Sequence, residues 1–398
     1  MLTLDQVYHA AYVLKKVARK TDMIYAPTLY NGAKVYLKTE NLQNTGSFKL
    51  RGAYYKISQL TEEEKSKGIV ACSAGNHAQG VALSAKKNNI PCIICMPDSA
   101  PISKVENTKS YGAKVELIKG AYDEAATYAE KLQKEKGYTF IHPFNDEQVI
   151  AGQGTIGLEI LDQLNDVDVV LVPVGGGGLI SGVAFTIKSL KPNCKVYGVQ
   201  SIGASSMAQS LNEDRRITLK DVNTFADGIA VKKPGDLTFE LSKKYVDGIV
   251  TVTDDEVASA ILALIEKQKM ICEGAGAVSV AALMFNKIDV KDKKVCCLLS
   301  GGNIDVNILS RVIGRGLLTS GRTADLTIAL TDKPGQLTGV SQIISENGGN
   351  VTGVFHDQGQ AETAVNSCLL KIKMETRDHE QVQQIRTALT NAGFNLVD

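Results

Sequence analysis

The chain carries no excess charge of either sign: 44 lysines and arginines stand against 43 aspartates and glutamates in 398 residues. No net field therefore favours a nucleic acid or an anionic membrane surface. Long apolar runs are also missing. The longest, residues 167–178, is too short to span a bilayer and is broken by Asp168, Pro173 and glycines. The opening residues, Met1-Leu2-Thr3-Leu4-Asp5, lack a basic segment followed by an apolar one. No secretory signal is expected, and cytoplasmic residence follows as the default. Hydrophobic residues at 44% and charged residues at 22% are ordinary for a globular protein, and the length predicts two or three domains.

A metal-ligand framework is not apparent either. Cys92-Ile93-Ile94-Cys95 has the spacing of half a zinc site, but it lies in the apolar run 90–96, which reads as a buried strand. An odd separation along a strand sends two side chains to opposite faces. Cys296 and Cys297 fail for the same reason, and no Cys or His pair is spaced to complete four ligands. No metal site is expected.

What is present is alternation. Short apolar runs at 34–39, 69–73, 90–96, 114–118, 167–174, 195–200, 248–252 and 294–299 read as strands. Amphipathic patterns such as 76–87, 123–135, 176–190 and 254–269 read as helices between them. Continuously apolar strands alternating with helices predict an α/β fold with parallel sheets covered on both faces. The tail follows a different rhythm: strand 324–330, turn Asp332-Lys333-Pro334-Gly335, helix 336–346, strands 351–355 and 364–374, helix 380–392 and strand 394–397. That βαββαβ order is ferredoxin-like.

Four polar segments interrupt the apolar pattern where strands give way to helices. Gly46-Ser47-Phe48-Lys49-Leu50-Arg51 places an amine at a helix start, where the dipole helps a lysine lose its proton. Gly175-Gly176-Gly177-Gly178 follows a strand and opens a helix, so its backbone can wrap a phosphate with converging N–H groups. Ser73-Ala74-Gly75-Asn76-His77 offers backbone donors and a neutral amide, and Ser300-Gly301-Gly302-Asn303 a neutral hydroxyl. Lysine amine, phosphate cradle and neutral polar partners are what a carbonyl cofactor such as pyridoxal phosphate needs. A dinucleotide loop is the rival, but G-x-G-x-x-G fails after Gly175. Gly152-x-Gly154-x-x-Gly157 fits the pattern without a preceding strand or a following ribose-binding acid.

With Glu40-Asn41-Leu42-Gln43, Ala151-Gly152-Gln153-Gly154-Thr155 and Glu273-Gly274-Ala275-Gly276-Ala277, these segments resemble the fold-type II pyridoxal-phosphate enzymes, and more narrowly the threonine ammonia-lyases, from about Asp5 to Arg315. The resemblance implies a two-lobed α/β catalytic domain over 1–316, with a small lobe at about 45–145 inserted in a large one. It implies that Lys49 carries the cofactor and acts as the base. Phe48, Asn76, Gly175, Gly176, Gly177, Gly178, Leu179 and Ser300 would hold the cofactor, and Ser73, Ala74, Gly75, Asn76 and His77 the substrate. Ser300 would face the pyridine nitrogen, which a hydroxyl leaves neutral, favouring prompt elimination over a long-lived carbanion. The implied reaction turns L-threonine into 2-oxobutanoate and ammonia, with serine as a secondary substrate, in threonine catabolism or isoleucine biosynthesis.

The rivals are a serine ammonia-lyase, a serine racemase and an inactive amino-acid sensor. The racemases supply a serine where this chain has Ala74, and acidic metal ligands where it reads Gln200-Ser201-Ile202-Gly203-Ala204-Ser205-Ser206. With Asp332-x-Pro334-Gly335-x-Leu337, residues 323–398 resemble an ACT domain. That likeness implies a homo-oligomer, dimer or tetramer, and an amino-acid effector near Asp332, Pro334, Gly335, Leu337 and Asn350.

Overall fold

Strand-forming residues in continuous buried runs account for the first of two compact units, Met1–Ile308 and Leu309–Asp398. The computed structural model describes residues 1–357 and 366–397. In chain order the first unit contains β1 (Met23–Tyr25), β2 (Lys34–Lys38), β3 (Ile69–Cys72), β4 (Cys92–Pro97), β5 (Lys114–Ile118) and β6 (Thr139–Phe140). It continues with β7 (Val169–Pro173), β8 (Lys195–Ser201), β9 (Gly248–Val252) and β10 (Lys294–Leu298). Two sheets result, ordered β1-β2-β10-β7-β8-β9 and β5-β4-β3-β6. Apart from the antiparallel β1–β2 edge, every pairing in them is parallel. All of β3 and β7 is buried, as parallel strands covered on both faces require. In β4, Cys92, Ile94 and Met96 enter one apolar cluster while Ile93 and Cys95 enter another, so the two cysteines do face apart.

Two glycine-containing patterns take on meaning as packing. Gly152, Gly154 and Gly157 lie inside the helix Glu147–Gln163. A Cβ on Gly152 would stand 2.6 Å from Gly52 Cα, and one on Gly154 2.8 Å from Thr186 Oγ1. The dinucleotide-like spacing is thus a helix surface shaved to let neighbouring helices touch backbone to backbone. The expected helix 254–269 is α-helical over Asp254–Ala263 and continues as a π-type turn, Leu264–Gln268, closed by Lys269 in the left-handed region at φ 57°.

A buried ion-pair cluster ties β2 to two helices. Arg51, on the helix Lys49–Ser58, is 2.8 Å from Glu40 and 2.7 Å from Glu159. Lys38, also fully buried, reaches Glu159 Oε2 at 2.5 Å and donates to Thr21 O at 2.7 Å. Burial alone would push the Glu40 carboxyl up; Arg51, then Lys38, outweigh this and hold it below its ordinary value. Within the cluster the charged groups find hydrogen-bond partners in one another and in Thr21, Thr155 and Gln163.

In the second unit, β11 (Thr323–Thr331), β12 (Asn350–Asp357), β13 (Ser367–Glu375) and β14 (Asn395–Leu396) form one antiparallel sheet ordered β12-β13-β11-β14. The helices Gln336–Glu346 and His379–Asn391 pack on it around Val340, Ile344, Ile385 and Leu389. This is the ferredoxin-like α+β fold. The strand expected at 364–374 begins partly outside the described residues. The helix Val306–Thr319 spans the 308/309 division, and the ferredoxin-like sheet itself starts at Thr323. Among the described residues no helix is long and apolar enough to cross a membrane.

Removing Arg51 leaves Glu40 and Glu159 with uncompensated charge. Arg51→Ala is expected to cost about 3–5 kcal/mol of stability, read as a lower denaturant midpoint for the first unit. A loss below about 1 kcal/mol would show that the cluster contributes little.

Candidate active site

Several helices aim their N-termini into one cavity of about 990 Å³ between the two sheets of the first unit. Lys49 begins one helix, Asn76 a second and Gly178 a third, and Glu273 caps a fourth, Gly274–Met284. Neither Gly75 nor Gly177, which precede the second and third, offers a side chain to cap the free N–H groups. The cavity therefore presents unspent donors and positive helix ends, a setting for anions.

Lys49 Nζ donates to Pro143 O at 2.9 Å. Burial pushes its pKa down to about 8, against a smaller upward pull from Glu273. Its helix entry is tied to the far side of the cavity: Phe48 N–H donates to Ser300 O at 3.1 Å, and Ser47 bridges Gly301. Ser300 Oγ makes only a long contact, 3.4 Å, to Ala275 O, which leaves the hydroxyl almost unspent. Gly276 permits this arrangement, since a Cβ there would meet Gly301 O at 2.4 Å.

The amide of Asn76 is fixed at both ends. Its Nδ2 donates to Glu273 Oε1 at 2.7 Å, and its Oδ1 accepts from Asn303 Nδ2 at 2.7 Å. One N–H remains to donate to a ligand. Ser73 Oγ accepts from Gly75 N–H at 3.2 Å, which shapes the turn. His77 hydrogen-bonds Ile141 O at 2.8 Å, and burial, then Lys49, push its pKa down to about 3. A ring nitrogen bonded to a carbonyl must carry its proton, so His77 is a neutral, packed histidine.

In the glycine run, Gly177 adopts φ 98°, which a side chain rarely tolerates, and the helix begins at Gly178 rather than at the expected Gly176. A Cβ on Gly176 would lie 2.4 Å from the Phe144 ring, and one on Gly178 2.8 Å from Phe144 Cα. Leu179 also lines the cavity. The backbone here approaches its neighbours as closely as chemistry permits, leaving the loop's N–H face free.

Three groups at the cavity were not singled out from the sequence. Glu273 is fully buried beside Asn76, and burial, then Asp227, push its carboxyl up to about 7. His142 Nδ1 accepts from the N–H groups of Phe144 and Asn145 at 3.2 and 2.8 Å, and burial lowers its pKa to about 4. Lys104 and Asp227 form an ion pair at 2.5 Å between residues that both line the cavity. The one available signal was the acid of Glu273-Gly274-Ala275-Gly276-Ala277, set among small apolar residues.

The residues expected to bind an effector are not brought together within one chain. Asn350 pairs with Glu375, which also pairs with Thr323, whereas Asp332 lies past Thr331 at the other end of β11. At about 3.4 Å per residue, the length of the sheet separates them. Asn350 Nδ2 is moreover engaged by Glu375 at 2.9 Å.

A family model described as pyridoxal-phosphate dependent enzyme matches residues 14–301. The chain belongs to that family, and within it to the threonine ammonia-lyases. It is 50% identical over 398 residues to an L-threonine ammonia-lyase of Thermotoga maritima, covering 100% of this chain and 99% of that one. Among solved structures it is similar to a processed threonine deaminase isoform 2 of Solanum lycopersicum, with TM-score 0.74 and 40% identity over 79% of this chain and 89% of that one. It is also similar to a maize serine racemase, with TM-score 0.75 and 35% identity over 79% of this chain and 98% of the other.

The close packing behind the glycine run yields a contrast. Gly176→Ala must displace Phe144 and is expected to weaken pyridoxal-phosphate binding by roughly tenfold or more, while Gly75→Ala, whose Cβ would meet nothing within 4 Å, leaves it near wild type. Equal affinities in an absorbance titration would show that the glycine run does not shape the cofactor site.

Proposed function

We propose that the chain is a pyridoxal-phosphate-dependent ammonia-lyase that converts L-threonine to 2-oxobutanoate and ammonia, and serine to pyruvate more slowly. The observation that carries this reading is the buried Lys49 amine, with its pKa lowered to about 8, at the meeting point of the helix N-termini. The residues present fit the cofactor. The Gly175–Gly178 backbone would hold the phosphate, the spare Asn76 N–H the ring oxygen and the Ser300 hydroxyl the ring nitrogen. When bound, pyridoxal phosphate supplies the electron sink that acidifies the substrate Cα proton. Lys49, a base within the same cavity, takes that proton. Backbone donors of Ser73 to His77, at an uncapped helix end, would hold the substrate carboxylate. His77 and His142, lowered to about 3 and 4, carry no extra proton to deliver near neutral pH, and Ala74 lacks a hydroxyl, so these residues offer no acid to return a proton to the opposite face, which ranks elimination above racemisation.

Lys49→Ala is expected to abolish 2-oxo acid production from threonine while far-ultraviolet circular dichroism is unchanged. The pH dependence follows from the sign of the shift. The neutral amine is the reactive form and its pKa lies near 8, so the rate of cofactor capture by the apoprotein should rise roughly tenfold between about pH 7 and pH 9 and then level off. A rise that continues past pH 10 would mean that the amine is unperturbed.

The second unit has the ferredoxin-like fold of ACT domains, and we infer a homo-oligomer in which it binds a branched-chain amino acid at the Pro334–Leu337 turn. Leu337 is exposed there and Gly335, at φ 92°, opens a helix. Asn350 could join that site only from a second copy of the chain. Isoleucine or valine should shift the threonine half-saturation of the full-length enzyme by roughly fivefold or more. No shift with either would reduce the unit to a structural role.

A further inference from the structure

The C-terminal sheet gathers three side chains of metal-ligand type at one end of one face. Asp332 follows β11, His356 lies on β12 and Cys368 on β13, the strand between the other two. The register explains why they meet. Cys368 pairs with Leu330 and His356 with Leu370. Paired residues share a face, and so do alternate residues of one strand, which puts Cys368, Leu370, Leu330 and His356 on the same side. Asp332, two residues beyond Leu330, extends the ladder by donating its N–H to Asn366 O at 2.9 Å and falls on that side too.

The side chains agree with the register. A carboxylate oxygen, an imidazole nitrogen and the thiol sulfur all lie within 4.8 Å of one another, and His356 Nε2 is 2.9 Å from Cys368 Sγ. Ligands about 2.0–2.3 Å from a tetrahedral ion stand roughly 3.3–3.8 Å apart, so the imidazole and thiol need to part by roughly 0.6 Å. Cys368 is buried in the unit's apolar cluster while Asp332 and His356 are exposed. An ion here would rest on the protein through sulfur and keep a side open to water.

We propose that Asp332, His356 and Cys368 form a binding site for one borderline-soft divalent cation, zinc in the first instance, with water as the fourth ligand. Thiolate and carboxylate together balance the ion's charge, neutral imidazole adds the nitrogen ligand, and the thiol proton leaves to solvent on binding. Oxygen, nitrogen and sulfur in one donor set select zinc or cobalt over calcium and magnesium, which take oxygen alone. The ion would pin the ends of three strands beside the turn that starts the helix Gln336–Glu346. Sequence spacing could not disclose the site, because each ligand comes from a different strand and no local pattern links them.

Cobalt(II) is the probe. Full-length protein stripped of metal with a chelator and kept reduced should bind one cobalt per chain, with thiolate-to-cobalt absorption in the near ultraviolet that zinc abolishes. Cys368→Ser should remove that absorption, and His356→Ala, at an exposed position, should weaken binding by roughly tenfold or more while folding and threonine turnover are retained. The proposal is overturned if the wild type shows no such absorption. It is equally overturned if the absorption survives both substitutions, which would place the cobalt on one of the seven cysteines of the first unit.

Discussion

Arg51 stands two residues after Lys49 on the same helix, and its buried guanidinium is locked between the buried Glu40 and the partly buried Glu159. Such a cluster is a poor source of net stability, since desolvating the charges costs about what their attraction returns. Its value is directional. A guanidinium presents its donors in a fixed plane, so satisfying Glu40 after β2 and Glu159 on the helix Glu147–Gln163 at once allows the Lys49 helix little freedom to rotate or slide. Gly52 and Gly152 then bring those helices into backbone contact on the same side. The position of the Lys49 amine, and with it the geometry of the cavity, descends from this constraint.

The electrostatics of the cavity follow from what converges on it. Helix N-termini contribute partial positive charge, Lys49 is lowered by burial to about 8 and so gives up its proton just above neutral pH, and both histidines are neutral at any physiological pH. The buried acid, Glu273, is raised to about 7 and so is itself only partly ionised near neutral pH. Beyond Lys49 and the Lys104–Asp227 pair, the site is lined mainly by oriented dipoles. Oriented dipoles in a buried cleft hold anions such as phosphate and carboxylate without reorganising as charge shifts during reaction. Asn76, which links Glu273 to Asn303, carries that polar chain to the cavity wall.

The strand–helix alternation was readable because parallel strands buried on both faces leave unbroken apolar runs, and β3 and β7 are such strands. The lysine, the glycine run and the two polar turns stood out because each interrupts an apolar pattern where a strand meets a helix. Glu273, His142 and Phe144 did not, since their meaning lies in contacts between segments far apart in sequence. The glycine spacing set aside as a dinucleotide loop has a physical cause of its own. Gly152-x-Gly154-x-x-Gly157 and a phosphate loop both need close backbone approach, so one glycine spacing serves helix packing as well as ligand binding. The ACT likeness joined Asn350 to the Pro334 turn, yet the helix Gln336–Glu346 between them carries the chain back along the sheet, so Asn350 starts β12 at the far end.

The ion pairs of the catalytic unit are unequal. On one side lies the Arg51 cluster, where breaking a partner costs several kcal/mol, and the glycine-mediated helix contacts. On the other, Lys104 from the helix Ile102–Ser110 meets Asp227, a residue 62% exposed, and an ion pair so open to water is worth about 0–1 kcal/mol. Lys104 and Asp227 both line the cavity, and their ion pair shares no residue with the cluster that holds the Lys49 helix. A weak, water-exposed contact thus stands at the cavity, while a buried and geometrically demanding one fixes the helix that begins at Lys49.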